Sequence, residues 1–69
     1  MEKTEKRIKR IIAAKLALCY TIKELEVRSE LGYATIWRIV NYFNLPEKQR
    51  YAPRKTTLKT LEDVLGLDR

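Results

Sequence analysis

Apolar residues recur at intervals of three, four and seven positions over residues 4–19, which is the spacing of one face of an α-helix. The same spacing returns over residues 36–43 and 58–65, and no segment alternates apolar and polar residues as a half-buried strand does. The pattern therefore predicts an all-α fold. The predicted apolar stripe of the first helix is Ile8, Ile11, Ile12, Leu16, Leu18 and Cys19, and the core is expected around Ile12, Leu25, Ile36, Ile39 and Leu61.

Two local signals mark the middle of the chain. Residues 21–24 read Thr-Ile-Lys-Glu, the form of a capping box in which the Thr is the N-cap and the Glu lies three residues later. This predicts a second helix over about residues 22–29. A tight turn around Gly32 interrupts the pattern, and a third helix is expected over about residues 33–43.

The last third of the chain predicts two further helices. Asn44, followed two residues later by Pro, predicts a short helix over residues 44–51, and the Ala-Pro pair after it ends that helix. Thr56 or Thr57 is the expected N-cap of the last helix. Gly66 is expected to end it in the left-handed conformation, with the apolar residue that follows folded back onto the helix. These boundaries predict a compact domain of five short helices.

The composition excludes several classes of protein. The chain has 69 residues, a net charge of +6, one Cys and no His. So short a chain has room for one core, which predicts a single domain over residues 1–69. Without His, and with Cys19 alone, we expect no enzyme and no metal or other cofactor. The lone Cys and the lack of a long apolar run predict a soluble cytoplasmic protein without a membrane or small-molecule partner.

The two helices on either side of Gly32, in a basic chain of this size, indicate a helix-turn-helix over about residues 21–43 that binds double-stranded DNA. On a helical wheel the apolar residues of the third helix face inward, which leaves Arg38 and Asn41 on the outer face. Arg donates to guanine O6 and N7 as a fork, and Asn pairs with adenine. At Gly32, backbone N–H groups can approach a phosphate at a helix N-terminus. The predicted base contacts are Tyr33, Ala34, Thr35, Arg38 and Asn41, and the predicted phosphate contacts are Thr21, Gly32, Tyr42, Lys48, Arg50, Arg54 and Lys55.

Lysine and arginine side chains gather in two clusters. The second cluster follows the third helix and is the candidate for phosphate contact, whereas the first is expected to be either a solvated helix face or a DNA contact. Trp37 is expected to pack beside the core, and Tyr33 either to pack at its edge or to contact DNA. The N-terminal cluster is Lys3, Lys6, Arg7, Lys9 and Arg10, and the second cluster is Lys48, Arg50, Arg54, Lys55 and Lys59.

Two parts of the chain carry a resemblance to a known family. The first comprises residues 21–25, Thr-Ile-Lys-Glu-Leu, and residues 31–39, Leu-Gly-Tyr-Ala-Thr-Ile-Trp-Arg-Ile; the second comprises residues 57–67. They resemble the central motif and the last helix of the Cro/repressor (Xre-type) helix-turn-helix proteins. The resemblance implies a lambda-repressor-like fold, a third helix in the major groove, repression of transcription in a phage or bacterium, and frequent dimers on two-fold operators. The chain departs from the family at Glu26 and Glu30, where the family favours Ala and Gly.

Alternatives to a repressor stay open. Residues 20–25 and 44–46 resemble MerR and excisionase motifs more weakly, which implies an architectural DNA-binding factor. The acidic residues beside the motif would suit a helical protein-interaction module or antirepressor that does not bind DNA. A homodimer is possible, with an interface through Val64, Leu67 or the outer edge of the last helix.

Overall fold

The computed structural model describes residues 2–67, and in that part of the chain it contains α-helices and 3₁₀ turns but no strand. The all-α prediction is therefore confirmed. Within residues 2–67, no helix combines the length and the apolar character that a membrane-spanning segment requires. The helices are α1 (Glu2–Ala17), α2 (Ile22–Ser29), α3 (Tyr33–Val40) and α4 (Lys55–Leu65), and the 3₁₀ turns span Tyr42–Asn44 and Glu47–Gln49.

A single cluster of buried side chains joins the helices, because α1 and α2 each pack against both α3 and α4. Leu25, Ile36, Ile39 and Leu61 belong to this core as predicted, and Ile12 packs at its edge. Full burial of one such aliphatic side chain contributes about 1.5–3 kcal/mol to folding. The buried hydrophobic residues are Ile8, Ile11, Leu25, Ile36, Ile39, Tyr42, Leu58, Leu61 and Leu65.

The predicted capping box at the start of α2 is present. The backbone N–H of Glu24 donates to Thr21 Oγ1 over 3.1 Å, and the backbone N–H of Thr21 donates to Glu24 Oε1 over 3.1 Å. These bonds satisfy two backbone donors that a helix start leaves unpaired. The helix begins at Ile22 for this reason.

The end of α1 departs from the prediction. The helix stops at Ala17, and Cys19 adopts a left-handed conformation with φ 58°. The N–H of Cys19 donates to Leu16 O over 3.2 Å, and the N–H of Tyr20 donates to Lys15 O over 3.0 Å, which together form a Schellman motif. The chain turns away before Cys19 reaches the core, so the prediction that Cys19 belongs to the apolar stripe of the first helix is wrong.

The last two aliphatic residues of the predicted α1 stripe are also exposed. Leu16 is 68% exposed and Leu18 is 51% exposed. In the final turn of α1, Ala14 packs against the core and Lys15 is half-buried, whereas Leu16 lies on the side of the helix that faces solvent. Leu18 lies in the turn after the helix ends.

The chain between α3 and α4 contains less helical structure than predicted. The third helix ends at Val40 rather than at residue 43, and a 3₁₀ turn follows it. Successive residues of a 3₁₀ helix are about 120° apart, so the α-helical wheel no longer describes which side chains face inward. Tyr42, predicted to point outward, is consequently buried in the core. The predicted helix over residues 44–51 is a single 3₁₀ turn, which lacks a side-chain cap.

The start of α4 also differs from the prediction. Its N-cap is Arg54, whose extended backbone (φ −67°, ψ 148°) follows Pro53, and no side chain caps the helix. Thr56 and Thr57 therefore lie inside the first turn, and neither is the N-cap.

The predicted end of α4 is confirmed. Gly66 has φ 73°, and the N–H of Leu67 donates to Glu62 O over 2.8 Å. Leu67 packs against the core, so the end of α4 is closed by a Schellman motif with its apolar contact.

Candidate nucleic-acid interface

The turn between α2 and α3 is held by hydrogen bonds on both sides. Ser29 Oγ donates to Leu25 O over 2.5 Å and accepts the N–H of Leu31 over 3.2 Å, and Ser29 is buried between the two helices. The next residue, Glu30, has φ 60°, and its N–H donates to Glu26 O over 2.9 Å. A left-handed backbone favours Gly over a residue that carries a Cβ. The turn therefore sets the direction of α3 at the cost of strain at Glu30.

The outer face of α3 carries most of the predicted base contacts. Ile36 and Ile39 anchor the helix in the core, while Ala34, Thr35 and Arg38 are exposed as predicted. On the border of this face, half of the surface of Tyr33 (50%) and 41% of that of Trp37 are exposed. The outer face of this short helix therefore exposes one cation and several small or aromatic side chains to solvent.

The N-terminus of α3 has no side-chain cap. Gly32 is its N-cap, with an extended backbone (φ −67°, ψ 149°) that any residue adopts. The first N–H groups of a helix have no partner within the helix, so they are available to an external acceptor. A Cβ at Gly32 would lie 3.9 Å from Thr35 Oγ1, which is ordinary contact. Gly32 thus leaves the backbone accessible, although neither its backbone conformation nor its packing requires glycine.

A groove of about 340 Å³ separates α3 from the extended residues 51–54. Thr35 and Arg38 line it from α3, and Arg54 lines it from the start of α4. The guanidinium of Arg38 lies over the ring of Tyr51, with Cζ 5.9 Å from the ring centroid. The structure thus brings Thr35, Arg38 and Arg54 together as candidate DNA contacts, and it places beside Arg38 the ring of Tyr51, which the sequence pattern did not single out.

We call the exposed set Thr35, Arg38, Arg54 and Lys55 the α3–α4 surface. Its three cations form no ion pair within the described residues 2–67. Cations without a carboxylate partner remain available to phosphates or base edges.

Two predicted phosphate contacts serve the fold instead. Tyr42 is buried, and the guanidinium of Arg50 lies over its ring at 5.6 Å from the centroid. Arg50 Nε donates to Leu45 O over 3.0 Å and Nη2 donates to Phe43 O over 3.2 Å. These contacts hold the segment between α3 and α4, and they occupy donors that a phosphate would need.

The remaining predicted contacts lie outside the groove. Asn41 is half-buried, and its Nδ2 donates to Trp37 O over 3.0 Å. Thr21 is exposed, but its hydroxyl belongs to the capping box of α2. Lys48 is exposed on the second 3₁₀ turn. DNA contacts by these three residues stay predictions.

The N-terminal cluster is largely engaged within the molecule. Arg7 Nη2 lies 2.5 Å from Glu62 Oε1, and Arg7 Nε donates to Glu62 Oε2 over 3.0 Å. This hydrogen bonding with Glu62 raises the pKa of the Arg7 guanidinium. Arg10 Nη2 donates to Leu67 O over 3.1 Å, and Lys9 Nζ lies 5.6 Å from the centroid of the Phe43 ring. These contacts hold α1 against α4 and against the segment that follows α3.

Comparison of the chain with models of protein families, with curated proteins and with solved structures gives no match. The functional proposal is therefore built on the α3–α4 surface and on the α2–turn–α3 geometry.

Proposed function

We propose that this protein is a sequence-specific regulator of transcription that binds double-stranded DNA, with α2 and α3 as its helix-turn-helix. The observation that carries the proposal is the outer face of α3, which is exposed and bordered by cations that form no ion pair within residues 2–67. An α-helix with its side chains is about 10–12 Å wide, and the major groove is about 12 Å wide, so α3 fits there.

Base recognition is assigned to the middle of the outer face of α3. Arg38 donates two hydrogen bonds to guanine O6 and N7, and the small Ala34 and Thr35 side chains contact a thymine methyl group. Tyr33 lies at the N-terminal end of the same face, where its hydroxyl reaches a phosphate or a base. The side chains that read sequence thus lie within about one and a half turns of helix.

Phosphate binding is assigned to the flanks of α3. Arg54 lines the groove opposite α3, and the exposed Lys55 follows it as the first residue of α4. At the other flank, the first N–H groups of α3 have no side-chain cap. These contacts orient the helix on the duplex without reading sequence. A bound protein then regulates transcription by occupying its site, as the resemblance to the Cro/repressor family implies.

A homodimer on a two-fold operator is part of this proposal. Val64 and Leu67, which the sequence suggests for the interface, pack against the core and are only half-exposed. The length of the selected DNA site distinguishes a dimer from a monomer, because a dimer reads two half-sites about one helical turn apart.

The second candidate function is a helical protein-interaction module without DNA binding. Three aliphatic side chains support it, because Leu16, Leu18 and Val27 are exposed by 68%, 51% and 73%. Removal of such aliphatic side chains from water stabilises a contact with a protein partner. This candidate predicts no salt-dependent retention on duplex DNA, because phosphate contacts release counterions and so depend steeply on salt.

Selection of bound sites from a pool of random duplexes tests the proposal. A DNA-binding regulator enriches one motif, which is palindromic for a dimer and short and asymmetric for a monomer. Binding to the selected duplex must also weaken as salt rises, with a slope set by the number of phosphate contacts. A folded protein that enriches no motif contradicts the proposal and favours the protein-interaction module.

A further inference from the structure

Arg38 is the only residue of α3 with a formal charge, and its guanidinium lies over an aromatic ring. Its Cζ lies 5.9 Å from the centroid of the Tyr51 ring. A cation over the face of an aromatic ring within about 6 Å is attracted by the quadrupole of that ring. Tyr51 is 69% exposed, so packing in the core does not explain where its ring lies.

The chain around Tyr51 explains its position. Arg50, the residue before it, donates to Leu45 O over 3.0 Å and to Phe43 O over 3.2 Å, which ties the segment back to the 3₁₀ turn that follows α3. Pro53, two residues later, has a restricted φ and leads directly into the N-cap of α4. Tyr51 is therefore held between two constrained points and lies across the groove from α3.

The nature of the restraint matters for what Arg38 can bind. A carboxylate partner would occupy the guanidinium fork, because it accepts the same N–H groups that guanine O6 and N7 accept. A ring contacts the face of the guanidinium and leaves the N–H groups at its edge free to donate. Within residues 2–67, Arg38 forms no ion pair. Arg38 is thus restrained without losing its donors.

We propose that Tyr51 is a specificity-determining positioning residue, which holds Arg38 in the orientation in which its fork reaches a guanine. This inference rests on the proposed function. A side chain that is already ordered loses less conformational entropy when it binds. Tyr51 therefore strengthens the preference for guanine at the one position that Arg38 reads, and it leaves phosphate binding unchanged.

The contact itself is tested without DNA, by nuclear magnetic resonance of the full chain. The ring current of Tyr51 shifts the Nε–H and Cδ–H resonances of Arg38 in the free protein. Tyr51→Ala removes this shift and Tyr51→Phe keeps it, because the ring and not the hydroxyl produces it. Identical Arg38 resonances in the wild type and in Tyr51→Ala would overturn the inference.

The effect on specificity is tested with the selected duplex, its single-base variants and a random duplex. In Tyr51→Ala, discrimination falls about two- to fivefold at the position that Arg38→Ala relaxes, which is the effect of one exposed cation–π contact. Affinity for the random duplex stays the same, and Tyr51→Phe behaves like the wild type. Thermal unfolding by circular dichroism verifies that both variants fold.

The outcomes separate the inference from the proposed function. If the wild type selects a site and Tyr51→Ala keeps full discrimination, only the role of Tyr51 is overturned. Equal losses on selected and random duplexes, or an equal loss in Tyr51→Phe, also overturn it, because the ring would then not position Arg38. If the wild type selects no site, the proposed function fails and the inference fails with it.

Discussion

The N-terminal cluster and the α3–α4 surface are both basic, but their charges are used differently. On α1, Arg7 pairs with Glu62 and Arg10 donates to Leu67 O, so both guanidinium groups face acceptors inside the molecule. On the α3–α4 surface, Arg38 and Arg54 form no ion pair within residues 2–67. Net charge therefore says little about where a nucleic acid binds until the partners of each cation are known.

The largest expected effect comes from Arg38→Ala. This change removes the guanidinium fork and costs about 1–3 kcal/mol in binding to the selected duplex, with relaxed preference at one position of each half-site. Arg10→Ala is the matched control, because it removes the same charged group from the N-terminal cluster. It should leave base preference unchanged in fluorescence anisotropy titrations. Equal losses of Arg38→Ala on selected and random duplexes would make Arg38 a phosphate contact only.

The second effect concerns the phosphate contacts. The double change Arg54→Ala and Lys55→Ala should weaken binding to all duplexes alike and reduce the slope of log K against log salt by about 2. The control is Lys3→Ala with Lys6→Ala, which removes two charges from α1. If the control lowers the salt slope as much as the double change at Arg54 and Lys55, the N-terminal cluster also contacts DNA. The two basic regions would then not differ in their use.

The third effect is on stability. Glu62→Gln leaves Arg7 without its carboxylate, and the loss of this two-point contact should lower the free energy of unfolding by about 1 kcal/mol. Glu62 raises the pKa of Arg7, so the guanidinium stays charged up to strongly alkaline pH and its titration adds no pH dependence near neutrality. Chemical denaturation measures the change. An altered base preference in this folded variant would contradict the structural role of the N-terminal cluster.

The smallest effect is expected at Glu30, in the turn that sets the direction of α3. Glu30→Gly should relieve the left-handed strain at φ 60° and raise stability by up to about 1 kcal/mol. Glu30→Gln removes the charge but keeps the Cβ, so it should leave stability unchanged. Thermal unfolding of the two variants separates them, and an equal gain in both would mean that charge and not backbone strain is the cost at Glu30.

Local signals predicted the ends of helices where a few adjacent residues decide them. The Thr21–Glu24 capping box and the left-handed Gly66 depend on contacts between residues no more than five positions apart, so the pattern was sufficient there. The apolar spacing likewise identified Leu25, Ile36, Ile39 and Leu61 as core residues. Helical periodicity was sufficient for these predictions because the four residues lie inside regular α-helices.

The predictions failed where the chain leaves the α-helical geometry. Tyr42 turns inward because α3 gives way to a 3₁₀ turn, and Cys19 stays outside because α1 ends two residues earlier. A helical wheel extrapolated past the end of a helix assigns such residues to the wrong face. The contact of Tyr51 with Arg38 could not be predicted from helical periodicity either. The two residues are thirteen positions apart, and only the path of the chain between α3 and α4 brings them together.

We propose the α3–α4 surface, and not the N-terminal cluster, as the part of the protein that contacts DNA. Titration of the ¹⁵N-labelled protein with its selected duplex, followed by amide chemical shifts, tests it residue by residue. We expect the largest changes at residues 32–38 and 51–55, with those at residues 3–10 small. The largest changes at residues 3–10, with α3 unaffected, would contradict the account.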